Sequence, residues 1–215
     1  MSTYTLVIGN MNWSSWSLRP WLGMKVAGIP FHSELVRLRQ ADSKARILKF
    51  SPSGKIPALL HHGLTIWDSL AILEYIAERH PEDQLWPLDE KARAIARSVA
   101  AEMHSGFASL RQHCPMDIMG RIPDSTGPEA AKDDIARILE IWDECRTRFG
   151  KEGPFLFGKF STADAMYAPV VTRFTTYGVK VDAGAQAYMD AIWSLPAMRE
   201  WQEGAKAEVE SATTG

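Results

Sequence analysis

The order of strand and helix patterns in roughly the first eighty residues restricts the fold more than any other feature. An alternating run, "YTLVIG", predicts a strand, and the segment from Ser17 to about Ala27 has helical spacing before "GIP" stops it. "FHSELVRL" predicts a second strand, and "DSKARILKF" predicts a short helix behind an Asp cap. "IPALL" and "LTIW" flank "HHG" as a hairpin, and "SLAILEYIAERH" predicts a closing helix.

This order of elements implies a mixed sheet. A strand-helix-strand unit requires a right-handed crossover, so its two strands pair in parallel. The hairpin adds two strands that must run antiparallel to each other. We therefore predict a small α/β domain with a four-stranded mixed sheet over residues 1–80.

The remainder of the chain predicts helices. "PEDQLWPLDEKA" holds two prolines and four acidic residues, which is typical of a linker, here 81–90. Apolar residues recur at helical spacing between Ile95 and Leu110, and "HCPMDIMGRIPDSTGP" predicts a loop. We expect an all-α helical bundle over 91–215. Its clearest amphipathic helix carries Ile135, Ile138, Trp142, Cys145 and Phe149 on one face.

Composition excludes several classes of protein. The net charge is −2, so no strong positive field recruits nucleic acid or an anionic membrane. Six histidines, His61 and His62 among them, lack metal-ligand spacing, so we predict no metal. Cys114 and Cys145 form no disulfide framework, and no basic residue precedes the first apolar run. These features predict a cytoplasmic protein.

The stretch "NWSSWSLRPWL" places Ser14, Ser15 and Ser17 between the first strand and the first helix. Serines at this position commonly cap the helix. One hydroxyl can instead stabilise an anion beside the positive end of the helix, and a thiolate is the obvious candidate. A thiol has a pKa near 8.5, and a hydrogen bond worth about 1.5–3 kcal/mol lowers it by roughly one to two units.

Two further motifs carry polar groups near turns. In "SPSGKIP", Pro57 must lie at the start or edge of a strand because it has no N–H to donate. A cis Ile56–Pro57 bond would direct backbone groups of Ile56 outward, towards an extended peptide. In "WDSLAI", Asp68 and Ser69 stand at a helix start, which suits both a cap and the α-amino acid end of a ligand.

These three motifs, in this order, resemble the glutathione transferase family, and "FSTADAMYAP" resembles the buried capping box of its helical domain. The resemblance implies a thioredoxin-like N-terminal domain, glutathione as co-substrate and a homodimer. It is closest to the serine-type zeta class, whose turn reads Ser-Ser-Cys. Here Trp16 replaces that cysteine, so the signature of the zeta-type isomerase is incomplete.

The resemblance also implies roles for individual residues. Ser14 would contact the glutathione sulfur, with Ser15 or Ser17 as alternatives if the turn is shifted by a residue. The glycyl, cysteinyl and γ-glutamyl parts of glutathione would be held, in turn, by Lys55, by Ile56 with a cis Pro57, and by Asp68 with Ser69.

The electrophile would bind between the domains. Met103 and Phe107 are four residues apart, so on one long helix they would share a face, where they either line the site or pack in the core. Arg173 would favour an anionic co-substrate or form a structural salt bridge. The complete candidate set is Met11, Trp13, Met103, Phe107, Arg111 and Arg173.

The sequence therefore predicts a cytoplasmic glutathione transferase with a role in detoxification. Its activated thiolate would attack a small electrophile. One alternative is a glutathione-dependent cis-trans isomerase of the maleylacetoacetate type. Another is a non-catalytic interaction protein that uses the same fold, which an empty or blocked glutathione site would indicate.

Overall fold

A computed structural model describes residues 4–213, so residues 1–3 and 214–215 of the predicted domains lie outside the described residues. Its sheet has the order β2-β1-β3-β4, with β1 parallel to β2 and antiparallel to β3, and with β3 antiparallel to β4. The predicted four-stranded mixed sheet is confirmed. The strands are β1 (Tyr4–Ile8), β2 (Phe31–Leu35), β3 (Ala58–His61) and β4 (Leu64–Trp67).

Strand β1 is buried on both faces of this sheet. Leu6 and Ile8 belong to the large core that continues into the helical part of the chain, whereas Val7 packs with a smaller cluster around Ile47. Successive side chains of a strand point to opposite faces, which explains the division. The helices of this part are α1 (Ser15–Val26), α2 (Ser43–Leu48) and α3 (Ser69–Arg79).

Beyond Trp67 the described chain adds no strand to the sheet and forms helices. None of the described helices is long and apolar enough to cross a membrane. The division at 81–90 remains a prediction. The helices are α4 (Glu90–Ser105), α5 (Ala108–His113), α6 (Gly127–Ala130), α7 (Lys132–Phe149), α8 (Thr162–Thr176), α9 (Ala183–Ser194) and α10 (Pro196–Thr213).

The single long helix expected to carry Met103, Phe107 and Arg111 is two helices, so that expectation is wrong. Helix α4 ends at Ser105 and is followed by Gly106, where an added Cβ would lie 2.8 Å from the Glu102 carbonyl oxygen. Phe107 then adopts a positive φ of 59°, which an α-helix does not allow. Met103 and Phe107 therefore do not share the face of one helix.

Helix α8 is the most completely buried helix of the described chain, and Asp164 fixes its start. Asp164 Oδ2 accepts hydrogen bonds from the backbone N–H of Ser161 at 2.8 Å and from its hydroxyl at 3.0 Å. Asp164 Oδ1 accepts from Leu156 N–H at 3.0 Å. The expected capping box is present, and it ties the preceding loop to the helix.

Asp164→Asn should remove a pH dependence of stability. Burial raises the pKa of the Asp164 carboxyl to about 6, against about 3.9 for an unfolded aspartate. The unfolded state therefore loses its proton first, and this group makes the free energy of unfolding fall by about 3 kcal/mol as pH rises from roughly 4 to 6. Urea denaturation between pH 4 and 8 measures this contribution. An unchanged pH slope in the variant would contradict it.

Candidate functional site

A cavity of about 820 Å³ lies beside the turn after β1. It is bordered by that turn, by the loop before β3, by the start of α3 and by one residue of α4. The structure brings together there most of the residues predicted to bind glutathione. The residues lining it are Trp13, Ser14, Ser15, Trp16, Leu38, Ile47, Ser53, Lys55, Ile56, Pro57, Trp67, Asp68, Ser69 and His104.

The three serines of the turn occupy different environments. Ser14 stands at the N-cap position of α1, yet its side chain makes no capping hydrogen bond. Its hydroxyl donates to Ser17 Oγ at 2.7 Å, and Ser17 Oγ also accepts from Gly9 N–H at 3.0 Å. Ser15 Oγ accepts from Arg173 Nη2 at 3.3 Å. Only Ser14 and Ser15 line the cavity, since Ser17 is fully buried behind them.

The N-terminus of α1 retains the partial positive charge that is usual at the start of a helix. The first turn of α1 has no acidic residue, and the Trp16 backbone N–H makes no hydrogen bond within residues 4–213. The first N–H groups of a helix carry partial positive charge and favour an anion. The Ser14 hydroxyl therefore borders a position at which negative charge is stabilised.

The loop before β3 offers backbone groups and one cation. The Ile56–Pro57 peptide bond is cis. Within the described part of the chain the Ile56 backbone N–H and C=O make no hydrogen bond, so both are available to an extended peptide. The exposed Lys55 side chain lies at the same border of the cavity.

Asp68 and Ser69 form the polar end of the cavity at the start of α3. Asp68 Oδ1 caps the helix by accepting from Leu70 N–H at 2.9 Å, and Asp68 Oδ2 accepts from His104 Nε2 at 2.6 Å. The Ser69 hydroxyl is buried and has no hydrogen-bond partner in the described chain. Because an unsatisfied buried hydroxyl is unfavourable, Ser69 is suited to bind a polar ligand.

Of the predicted electrophile-site residues, only Trp13 lines the cavity. Met103 and Phe107 are buried in the core, and Met11 packs beside Gly204 of α10. The Arg111 guanidinium lies 4.8 Å from the centre of the Trp16 ring and donates to carbonyl oxygens of the α4 terminus. The structure therefore does not bring these candidates together.

Arg173 is buried beneath the serine turn and forms no salt bridge with any described residue. Besides Ser15, it donates to the carbonyl oxygens of Cys114 at 2.9 Å and Pro169 at 3.2 Å. Burial, together with the neighbouring Arg111 charge, lowers the pKa of Arg173 to about 10. Ser15 lines the cavity, so the positive charge of Arg173 lies directly behind the cavity wall.

Sequence reasoning missed Arg19, His104 and the role of Trp16. Arg19 is fully buried, and none of its three guanidinium nitrogens has a partner in the described chain. Its guanidinium carbon lies 4.3 Å from the centre of the Trp16 ring. Burial and the charges of Arg111 and Arg173 lower the pKa of Arg19. The only sequence signal was an arginine inside an apolar helix.

Two other polar features lie away from this cavity. Potential metal-ligand atoms of His80, Glu82 and Asp83 come within 4.8 Å of one another at the exposed end of α3. A smaller cavity of about 420 Å³ lies between residues 84–92 and the segment 148–161 that precedes α8, and it contains none of the predicted site residues. Neither feature adjoins the serine turn.

Comparisons with known proteins identify the family. Residues 13–79 match the model of the Glutathione S-transferase N-terminal domain, and residues 128–204 match that of the C-terminal domain. The maleylacetoacetate isomerase of Rattus norvegicus is 35% identical over 169 residues, covering 77% of this chain and 75% of that protein. The chain belongs to the glutathione S-transferase family. The prediction of a glutathione transferase is confirmed at the level of the family.

Other relatives agree with this membership. The probable maleylacetoacetate isomerase of Caenorhabditis elegans is 30% identical, but the match spans only 58% of each protein. A glutathione transferase homologue from Burkholderia with bound glutathione superposes with a TM-score of 0.71 at 24% identity, covering 95% of this chain and 98% of that one. The superposition with the Burkholderia structure shows the transferase fold, which agrees with the predicted thioredoxin-like and helical parts of the chain.

Helix α10 of the present chain forms hydrogen bonds with the loop that leads to Ser14. Glu208 accepts hydrogen bonds from the backbone N–H groups of Met11 at 3.0 Å and Asn12 at 3.3 Å. Trp201 Nε1 donates to the Met11 carbonyl oxygen at 2.8 Å. Three backbone groups of the loop are thus fixed by one helix.

Glu208→Ala should loosen this loop. The two N–H groups lose a charged acceptor, so we expect a loss of about 1–3 kcal/mol in the free energy of unfolding. Hydrogen exchange in a peptide containing Met11 and Asn12 should accelerate, and chemical denaturation measures the stability. Glu203→Ala on the exposed face of the same helix is the matched control. Equal exchange in both variants would contradict the role of Glu208.

Proposed function

We propose that this transferase binds glutathione in the 820 Å³ cavity and that Ser14 stabilises the glutathione thiolate. The observation that carries the proposal is the position of the Ser14 hydroxyl. It borders the cavity at the uncapped N-terminus of α1, and it is not used to cap that helix. A hydroxyl in this position donates to an anionic sulfur, and the helix terminus adds to the stabilisation.

The polar groups of the cavity support one orientation of the tripeptide. Ser69, whose buried hydroxyl has no partner among residues 4–213, takes the γ-glutamyl carboxylate, and the Asp68 carboxylate takes the ammonium group. The backbone groups of Ile56 pair with the cysteinyl residue beside the cis Pro57, and Lys55 pairs with the glycyl carboxylate. This orientation directs the sulfur towards Ser14.

The proposed chemistry depends on ionisation of the thiol. The thiol proton leaves to solvent, and the thiolate held by Ser14 attacks an electrophilic carbon, so that a carbon–sulfur bond forms. Either a leaving group departs with the electron pair of its bond, or the π electrons of an activated double bond move to its activating group and the product then takes a proton from solvent. The protein contributes thiolate stabilisation and the close approach of two reactants.

Ser14→Ala should raise the pKa of the bound glutathione thiol and slow turnover. Loss of one hydrogen bond to a charged acceptor is worth about 1.5–3 kcal/mol, so we expect a midpoint raised by one to two pH units and a rate at pH 7 reduced 10- to 100-fold. Glutathione affinity should change little. Ultraviolet titration of the bound thiolate and steady-state kinetics measure the two effects. Ser15→Ala serves as comparison, and equal activity of Ser14→Ala and wild type would refute the assignment.

A second candidate is the glutathione-dependent cis-trans isomerase. Three arginines, the buried Arg19 and Arg173 and the half-buried Arg111, surround Trp16 and Ser15 without a carboxylate bonded to any of them in the described chain. Such a positive region favours an electrophile with carboxylate groups. Glutathione would add to a conjugated diacid, allow rotation about the new single bond, and leave again.

Arg173→Met should distinguish anionic from neutral electrophiles. Removal of the charge beside Ser15 should lower kcat/KM for a conjugated diacid about tenfold more than for a neutral electrophile, as one charge-assisted contact is worth about 1.5–3 kcal/mol. Mass spectrometry identifies the reaction, because isomerisation leaves the mass of the substrate unchanged. An equal loss for both electrophiles would count against a role of the arginines in substrate choice.

The remaining expectations are proposals supported by the family resemblance. They are a homodimer in the cytoplasm, a small electrophilic second substrate, a role in detoxification and the absence of a metal, a nucleic acid or a membrane partner. The third alternative is a non-catalytic interaction protein. The open cavity argues against it, as does the Ser69 hydroxyl, which has no partner in the described part of the chain, and failure of the protein to bind glutathione would favour it.

A further inference from the structure

We propose that Ser17 is a positioning residue for thiolate stabilisation, acting through Ser14, an inference that rests on the proposed function. Ser17 is fully buried and does not line the cavity, so it cannot reach the sulfur itself. Its hydroxyl lies 2.7 Å from that of Ser14. In the presence of the anionic sulfur this pair reverses, so that Ser17 donates to Ser14 and Ser14 donates to the sulfur.

The reversal follows from the number of hydrogens in the pair. In the structure Ser14 is the donor of its bond to Ser17, and a serine has a single hydroxyl hydrogen to donate. That hydrogen cannot serve the sulfur at the same time, so it must leave Ser17 when the thiolate binds. The two oxygens, 2.7 Å apart, then need a hydrogen between them. The Ser17 hydroxyl can provide it, since within residues 4–213 it donates to no other group.

Gly9 anchors the other end of this chain of hydrogen bonds. Its backbone N–H donates to Ser17 Oγ at 3.0 Å in the structure and can continue to do so after the reversal. The donors then run in one direction, from Gly9 N–H through Ser17 and Ser14 to the sulfur. Hydrogen bonds aligned in this way polarise one another, so the last donor binds negative charge more strongly than an isolated hydroxyl.

Close packing around Gly9 keeps these groups in place. A Cβ added at Gly9 would lie 2.8 Å from Leu38 Cδ1 and 3.1 Å from Ser14 Oγ. A side chain at this position would therefore crowd Ser14 Oγ and displace it by a few tenths of an ångström, whereas glycine leaves the hydroxyl in place. The strand, through Gly9, and the helix, through Ser17, together set the position of the Ser14 oxygen.

The test is a double-mutant cycle read by ultraviolet titration of bound glutathione. Wild type, Ser14→Ala, Ser17→Ala and the double variant are titrated between pH 5 and 10. Ser43→Ala is the matched control, because Ser43 is also buried and accepts from a backbone N–H, that of Gln40, but lies outside the cavity lining. Glutathione dissociation constants are measured for every variant.

We expect Ser17→Ala to raise the thiol midpoint by about one pH unit and to lower the rate at pH 7 about tenfold, with affinity for glutathione nearly unchanged. The rate should recover at high pH, where the thiol ionises without help. The double variant should titrate like Ser14→Ala alone, because the effect of Ser17 passes through Ser14. Ser43→Ala should titrate like wild type.

A wild-type midpoint in Ser17→Ala, or an undiminished effect of Ser17→Ala in the Ser14→Ala background, would overturn the inference and leave the proposed function intact. A wild-type midpoint in Ser14→Ala would overturn both. If Ser17→Ala does not fold, Ser17→Cys replaces it. The thiol is a similar but weaker donor, so an intermediate midpoint supports the inference and a wild-type midpoint overturns it.

Discussion

Helix α1 packs both against the sheet domain and against the helical part of the chain. The position of every other group in the site depends on this packing. The helix packs against α3 on one side and against α8 and α10 on another. Nearly every residue from Ser15 to Met24 is buried, so the helix has no exposed face along which to shift. Its N-terminus, and with it the serine turn, is therefore held by both parts of the chain.

A fixed N-terminus matters because electrostatic stabilisation requires donors that are already in position. Ser14 is held by Ser17, the loop before it is held by Glu208, and Ser15 is held by Arg173. These three partners lie on three different helices: Ser17 on α1, Glu208 on α10 and Arg173 on α8. The polar groups around the cavity are thus placed by tertiary packing rather than by the turn alone.

The sheet was predictable because its signals are local. The alternation in β1, the hairpin residues His62 and Gly63, and the cap at Asp68 are each contained within a few residues. The same holds for the capping box of α8. The predicted glutathione residues also meet in one cavity, because each lies at the end of one of these elements.

The arrangement of the residues predicted to bind the electrophile could not be predicted, because the contacts that fix it are not local in sequence. Helical spacing placed Phe107 and Arg111 on one helix with Met103, but Gly106 and then Phe107, which has a positive φ, separate α5 from α4. Two of the three partners of Arg173 lie 59 and 158 residues away along the chain, and no local pattern encodes such contacts. Arg19 has no hydrogen-bond partner among the described residues, and this too is a property of the packed core and not of its neighbours in sequence.

Trp16 shows how one substitution in the turn connects distant parts of the site. A cysteine at this position has no ring, whereas the Trp16 ring contacts the guanidinium groups of Arg19 and Arg111, within 4.8 Å of its centre. The same ring also packs nearly perpendicular to the imidazole of His104, at 77°, and this imidazole bonds the Asp68 carboxylate. The indole therefore lies between the arginine cluster and the polar end of the cavity. Because aromatic faces attract cations, the ring stabilises two arginines that pair with no carboxylate in the described chain, and the positive charge remains beside the serine turn.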